Sequence, residues 1–120
     1  MTTSQIADRL VELCRQGAFD AAQRELYADD AISIEPDGTP MQVAEGLEAI
    51  QEKGRHFMAS VQVMHGISIS APLVAGNFFS IAMTLDATFA DRGRMAMDEI
   101  CVYEVEDGKI VCEQFFYSAG

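Results

Sequence analysis

The run Leu26-Tyr27-Ala28-Asp29-Asp30-Ala31-Ile32-Ser33-Ile34-Glu35-Pro36-Asp37-Gly38 turns a helix into a strand and carries one carboxylate to the strand's end. Leu26 and Tyr27 close an apolar-periodic segment. Asp29-Asp30 are predicted to break it, because short carboxylates compete for backbone donors and favour turns. Ile32 and Ile34 then alternate with Ser33 and Glu35, the period of a half-buried strand. Pro36 cannot donate to a ladder and holds the residue before it extended, so the strand should stop at Glu35. Asp37-Gly38 supplies a turn.

Towards the N-terminus the spacing predicts two helices. Ser4 is the expected N-cap of the first, with Ile6, Ala7, Leu10, Val11, Leu13 and Cys14 forming one apolar stripe and Gly17 ending it. Asp20 with Gln23 reads as a capping box for the second, Phe19 packing ahead of it as a staple, with Ala22 and Leu26 facing inward.

Towards the C-terminus, Thr39 to Val43 reads as a second short strand, and Leu47, Ile50, Phe57 and Met58 recur at helical spacing, predicting a helix over Leu47–Ala59. From Val61 the period becomes two. Val61, Val63, His65, Ile67 and Ile69 share one parity of a long strand. Phe79, Ile81, Met83, Leu85, Ala87 and Phe89 share one face of the next. Ala75-Gly76-Asn77 marks a turn, and Asp91-Arg92-Gly93 and Glu106-Asp107-Gly108 each read as a three-residue hairpin loop with a left-handed glycine. Two long strands follow, Arg94–Val105 and Lys109–Ser118. Three helices followed by an antiparallel meander make an α+β domain, the helices covering one sheet face. Residues 1–120 are too few for a second core.

Composition narrows the function. The net charge of −11 repels phosphate backbones and anionic lipid, which argues against nucleic acid and membrane as partners. No apolar run approaches the roughly 20 residues of a membrane span. Met1–Gln5 lacks the basic and apolar regions of a signal peptide, and the three cysteines have neither metal nor redox spacing. Reduced thiols in the cytoplasm are expected.

The run LYADDAISIEPDGTP, the glycine-led helix Gly46-Leu47-Glu48-Ala49-Ile50 and the closing EDGKI resemble a SnoaL-like protein of the nuclear-transport-factor-2-like superfamily. That superfamily includes ketosteroid isomerases, polyketide cyclases, dehydratases and members without known activity. The resemblance implies a cystatin-like cone, a curved antiparallel sheet wrapped around three N-terminal helices, with a pocket at its open end. It also implies a homodimer through the convex face, where Ile100, Val102, Ile110 and Phe116 are expected. Glu35, in Ile34-Glu35-Pro36, aligns with the general base of ketosteroid isomerases. Cys101 falls near that family's protonated aspartic acid and Val11 near its oxyanion tyrosine. Neither is a good hydrogen-bond donor, which argues against a steroid isomerase of that design.

With three-residue loops, Ala90 pairs with Arg94 and Val105 with Lys109. Met83, Cys101 and Glu113 then share the concave face, as do Leu85, Glu99 and Phe115, and Tyr103 and Val111. A two-residue Asp107-Gly108 turn would instead pair Cys101 with Gln114 and turn Glu113 outward. Tyr103 and Tyr117 are natural partners for the concave carboxylates Glu99 and Glu113, which are costly to bury unpaired.

The expected site thus has Glu35 and His65 as acid/base groups, with Met83, Leu85, Glu99, Cys101, Tyr103, Glu113, Phe115 and Tyr117 lining a pocket for a small apolar ligand. No cofactor and no metal are called for. Each assignment has a plainer counterpart: Glu35 as a solvated strand-end acid, His65 as an ordinary strand histidine, Glu113 facing water at the sheet edge. The chemistry implied is cofactor-free isomerisation, cyclisation or dehydration of a carbonyl compound. The alternative is a non-catalytic ligand-binding or dimerisation module.

Overall fold

The computed structural model describes residues 1–39 and 41–118. Its elements are α1 (Thr3–Arg15), α2 (Phe19–Leu26), β1 (Tyr27–Ile34), β2 (Val43–Glu45), α3 (Leu47–Ser60), β3 (Val61–Ile69), β4 (Leu73–Ala75), β5 (Phe78–Phe89), β6 (Gly93–Glu106) and β7 (Lys109–Phe116). The strands form one curved, unclosed sheet in the order β2-β1-β7-β6-β5-β3, with β4 also on β5. All pairings are antiparallel except β1 with β7, which run parallel. The α+β architecture follows the expectation; the parallel pair adds to it. That pair sets the end of β1 beside the second half of β7, bringing Glu35 close to Glu113 and Tyr117.

The helices form where the apolar stripes place them, with different caps. Thr2, not Ser4, caps α1: its hydroxyl accepts from the Gln5 backbone N–H and the Gln5 side chain accepts from the Thr2 N–H. Ser4 has Ala7 three residues on and lacks that reciprocal acceptor. The Asp20 box does not form. Helix α2 starts at Phe19 with no side-chain cap, and Asp20 lies in its first turn, paired with Arg24 at 3.1 Å. A carboxylate there also suits the helix dipole. Gly17 closes α1 at φ +74° as expected.

Asp29 and Asp30 do not break the chain: the helix ends at Leu26 and β1 begins at the next residue. The two aspartates sit exposed in β1, where the pairing with β7 is irregular between Tyr27 and Ile32. The parity of β1 is the reverse of the simple reading. Ser33 is 0 % exposed and Ile32 is 38 % exposed, so the polar set faces the helices. The expected Thr39–Val43 strand includes Pro40, outside the described residues; the paired segment is Val43–Glu45.

The core lies between the concave sheet face and the helices. Ile6, Leu10, Leu26 and Ile50 pack against Phe79, Ile81, Leu85, Cys101 and Ile110, all at most 5 % exposed. Burying each such large side chain is worth about 1.5–3 kcal/mol. Ile110, assigned from sequence to the convex face, belongs here.

Register follows from the turns. Phe89 pairs with Gly93, so the β5–β6 loop is Ala90-Asp91-Arg92 and Met83 lies opposite Glu99, with Ile81 opposite Cys101. The β6–β7 turn is the two-residue Asp107-Gly108, both at positive φ, with Glu106 opposite Lys109. By itself that turn would point Glu113 outward. One residue further along, Val105 pairs with Ile110 but Glu104 with Cys112, leaving Val111 as a bulge. The bulge restores the parity, pairs Tyr103 with Glu113 and Cys101 with Phe115, and keeps Glu113 inside.

Candidate active site

A cavity of about 210 Å³ opens between α2, α3 and the sheet. Its walls are apolar: Phe19, Ile50, Phe57, Met58, Met83, Leu85, Met97 and Phe115. Polar groups reach it from several elements, Gln23 from α2, Lys53 from α3, Glu99 from β6, Glu113 from β7 and Tyr117 just past β7. Glu35 enters from the end of β1, carried inward by the parity that buries Ser33.

Glu35 is held on both sides. Tyr117 Oη donates to its Oε1 at 3.0 Å, and Lys53 Nζ donates to its Oε2 at 3.1 Å. The Lys53 and Glu35 side chains are each 18 % exposed. Lys53 Nζ also donates to Ser33 Oγ at 2.5 Å and lies 5.2 Å from the centre of the Phe115 ring. Since an ammonium only donates, Ser33 must accept there, and its one proton is left for Glu113. Glu113 also accepts from the buried Tyr27 hydroxyl. A continuous polar chain therefore runs Tyr27, Glu113, Ser33, Lys53, Glu35, Tyr117, from the interior to the pocket mouth.

The electrostatics differ from one carboxyl to the next. Burial pushes Glu113 above the ordinary carboxylate range, opposed by its bonds to Tyr27 and Ser33 and by the Lys53 charge. Glu99 is pushed up to about 7, first by desolvation among apolar walls and then by the charge of Glu35. Its hydrogen-bonding neighbour is the weak donor Cys101 Sγ, at 3.9 Å. Tyr117 is pushed up to about 12 by burial and by Glu35.

Of the residues expected at the site, Glu35, Met83, Leu85, Glu99, Glu113, Phe115 and Tyr117 line the cavity. Cys101 and Tyr103 lie beneath it in the core, Tyr103 stacked on Phe79 with ring centres 4.7 Å apart. His65 is elsewhere. Strand β3 pairs irregularly with β5 between Val61 and Val63 and again between Met64 and Gly66, so Gln62 and His65 are the extra residues. The parity therefore shifts, Met64 packs on the core, and the His65 ring is exposed with Nε2 2.7 Å from Thr88 Oγ1. His56 is exposed beside Glu52.

The reading from sequence missed Lys53, Ser33 and Tyr27. Lys53 could have been found: it falls three residues after Ile50 and four before Phe57, on the inward stripe of α3. Among the described residues no three His, Cys, Asp or Glu side chains gather as metal ligands would. A wider depression beside α1, lined by Asp8, Glu12, Arg15 and Pro72, is open surface in which Arg15 is already committed to the Ile69 carbonyl.

Solved structures place this architecture in the nuclear-transport-factor-2-like, cystatin-like fold class. A protein of unknown function with a cystatin-like fold from Xanthomonas campestris superposes with TM-score 0.83 at 18% identity, covering 99% of this chain and 92% of that one. A hypothetical protein with a ketosteroid isomerase-like fold from Catenulispora acidiphila, in complex with trimethylamine, gives 0.68 at 19% identity over 82% and 74%. Nearer in sequence, a putative SnoaL-like polyketide cyclase [carbohydrate phosphatase] from Mesorhizobium loti gives TM-score 0.92 at 36% identity, covering 98% of this chain and 100% of that one. The SnoaL-like domain model matches residues 1–117, and the chain belongs to that family. A search of the curated proteins found no match.

Proposed function

We propose that the chain, working as one domain over 1–120, is a cofactor-free enzyme that moves a proton on a small, largely apolar carbonyl compound. The observation that carries this is the meeting of two unlike carboxyls in one apolar cavity. Glu35 accepts hydrogen bonds from an ammonium and a phenol, while Glu99 has only the weak Cys101 donor beside it and is pushed up to about 7. Two carboxyls in such different surroundings divide into a base and an acid. Glu35 removes a proton alpha to the carbonyl. Glu99, in its neutral form, returns one to the resulting enolate or to a leaving group, and water resets both. Tyr117 orients Glu35. His65, on the outer surface, has no part in this scheme.

Isomerisation, aldol-type cyclisation and dehydration all begin with that step. No helix among the described residues is long and apolar enough to cross a membrane, and the three cysteines are free thiols, in keeping with a cytoplasmic protein. A second copy covering the convex apolar residues Phe78, Ile100 and Phe116 belongs to the same reading.

A panel of small β,γ-unsaturated ketones tests it, with conversion to the conjugated isomer followed by ultraviolet absorbance. Wild type should convert at least one member, and Glu35→Gln should lose the activity by a factor of about 10² or more while folding normally. The other reading, a non-catalytic binding module, draws on Val11 and Cys101, which offer no strong donor where the isomerases have two. It predicts binding without turnover, equal in the two proteins.

A further inference from the structure

Proton abstraction alpha to a carbonyl leaves negative charge on the carbonyl oxygen, and a catalyst needs a donor where that charge develops. Val11 and Cys101 do not supply one. Lys53 is different. It lines the cavity, has two of its three N–H groups on Ser33 and Glu35, and has no protein acceptor for the third among the described residues. We infer that Lys53 is the oxyanion-binding group of this pocket and that its substrate is therefore a ketone or aldehyde whose oxygen docks on the ammonium beside Phe115.

Three observations lead there. The first is position: Nζ is within 3.1 Å of a Glu35 carboxyl oxygen, so an oxygen on Nζ places the adjacent carbon within reach of the base. The second is charge. The C–H bond breaks, the proton goes to Glu35, and the electron pair passes through the alpha carbon to the carbonyl oxygen. Negative charge thus moves from one neighbour of Lys53 to another, and the ammonium faces an anion before and after. The third is rigidity. Ser33 and Glu113 are buried, with Glu113 fixed in turn by Tyr27, so the ammonium is positioned before substrate arrives.

This inference builds on the proton-transfer reading, yet its test does not depend on turnover. The probe is 4-nitrophenol, whose anion mimics an enolate and absorbs at longer wavelength than the neutral form. Bound to wild type it should ionise at a lower pH than in free solution, and Lys53→Met should weaken phenolate binding about tenfold or more, a typical loss for a hydrogen bond between charged groups. Lys53→Arg should retain most of it. Glu35→Gln, which removes a competing negative charge, should tighten it. Should Lys53→Met not fold, Lys53→Gln makes the same comparison, since it keeps a donor without the charge. Equal phenolate affinity in the wild type and the uncharged variant would overturn the inference, as would a wild type that prefers neutral phenol or fails to bind the probe at millimolar concentration. If Glu35→Gln abolished turnover while Lys53→Met left the probe unaffected, the proton-transfer reading would survive and this one would not.

Discussion

Replacing Glu99 by glutamine should flatten part of the pH dependence of folding. In the folded protein the Glu99 carboxyl is raised from 4.5 to about 7, chiefly by desolvation among Met83, Met97 and Leu85 and then by the Glu35 charge. A carboxyl raised on folding holds its proton in the native state at pH values where the unfolded chain has released it. The associated stability is fully present below about 4.5 and is lost as pH rises through about 7. At about 1.4 kcal/mol per pH unit, that interval corresponds to about 3 kcal/mol. Glutamine is near in size and uncharged at every pH, so the variant lacks this term. Other buried carboxyls, Glu113 among them, contribute alike to both proteins and cancel in the difference. Urea unfolding at half-unit steps from pH 4.5 to 7.5 should show Glu99→Gln gaining about 3 kcal/mol on wild type across the range. Parallel curves, diverging by less than about 0.5 kcal/mol, would refute the desolvated Glu99 on which the acid assignment rests.

The buried anchor of the polar chain can be probed with Tyr27→Phe. It removes a donor to Glu113 and should cost about 1–3 kcal/mol in chemical denaturation; a loss under about 0.5 kcal/mol would mean the bond contributes little. Thiol labelling should be selective. Cys14 is buried and pushed up to about 12, and Cys101 is buried and pushed up as well, so a disulfide reagent should modify only the half-buried Cys112 until the protein is unfolded. Native labelling of all three would contradict the packing. Sedimentation at tens of micromolar, a typical scale for a weak interface, should give a dimer, and Phe116→Glu a monomer; a monomeric wild type would remove the convex-face argument.

Glu35 was found through the resemblance carried by Ile34-Glu35-Pro36, and the helices and the two-residue periods were legible in the sequence because each depends on local spacing. Register was not. The β6–β7 hairpin combines the two-residue turn with a compensating bulge at Val111, so Glu113 faces inward for a reason neither simple alternative contained. The same limitation displaced His65, since two bulges in β3 reverse the parity between them, and only the second had a local signal, Gly66 beside it. In β1 the apolar Ile32 and Ile34 suggested the wrong buried face. Ser33 takes the inner position because Lys53 and Glu113 satisfy its hydroxyl there, a tertiary contact across α3 and β7 that no local pattern encodes. Lys53 was hidden by its own charge, because a lysine on an apolar stripe reads as a gap in it.

The most direct measurement of the central claim is hydrogen–deuterium exchange at the alpha carbon of simple cyclic ketones in heavy water, followed by proton NMR. It isolates the C–H cleavage common to isomerisation, cyclisation and dehydration and needs no knowledge of the natural substrate. Wild type should accelerate loss of the alpha-proton signal over buffer, and Glu35→Gln should reduce that acceleration by about 10²-fold or more. Exchange no faster than buffer across the ketones, or equal acceleration by wild type and Glu35→Gln, would contradict the account.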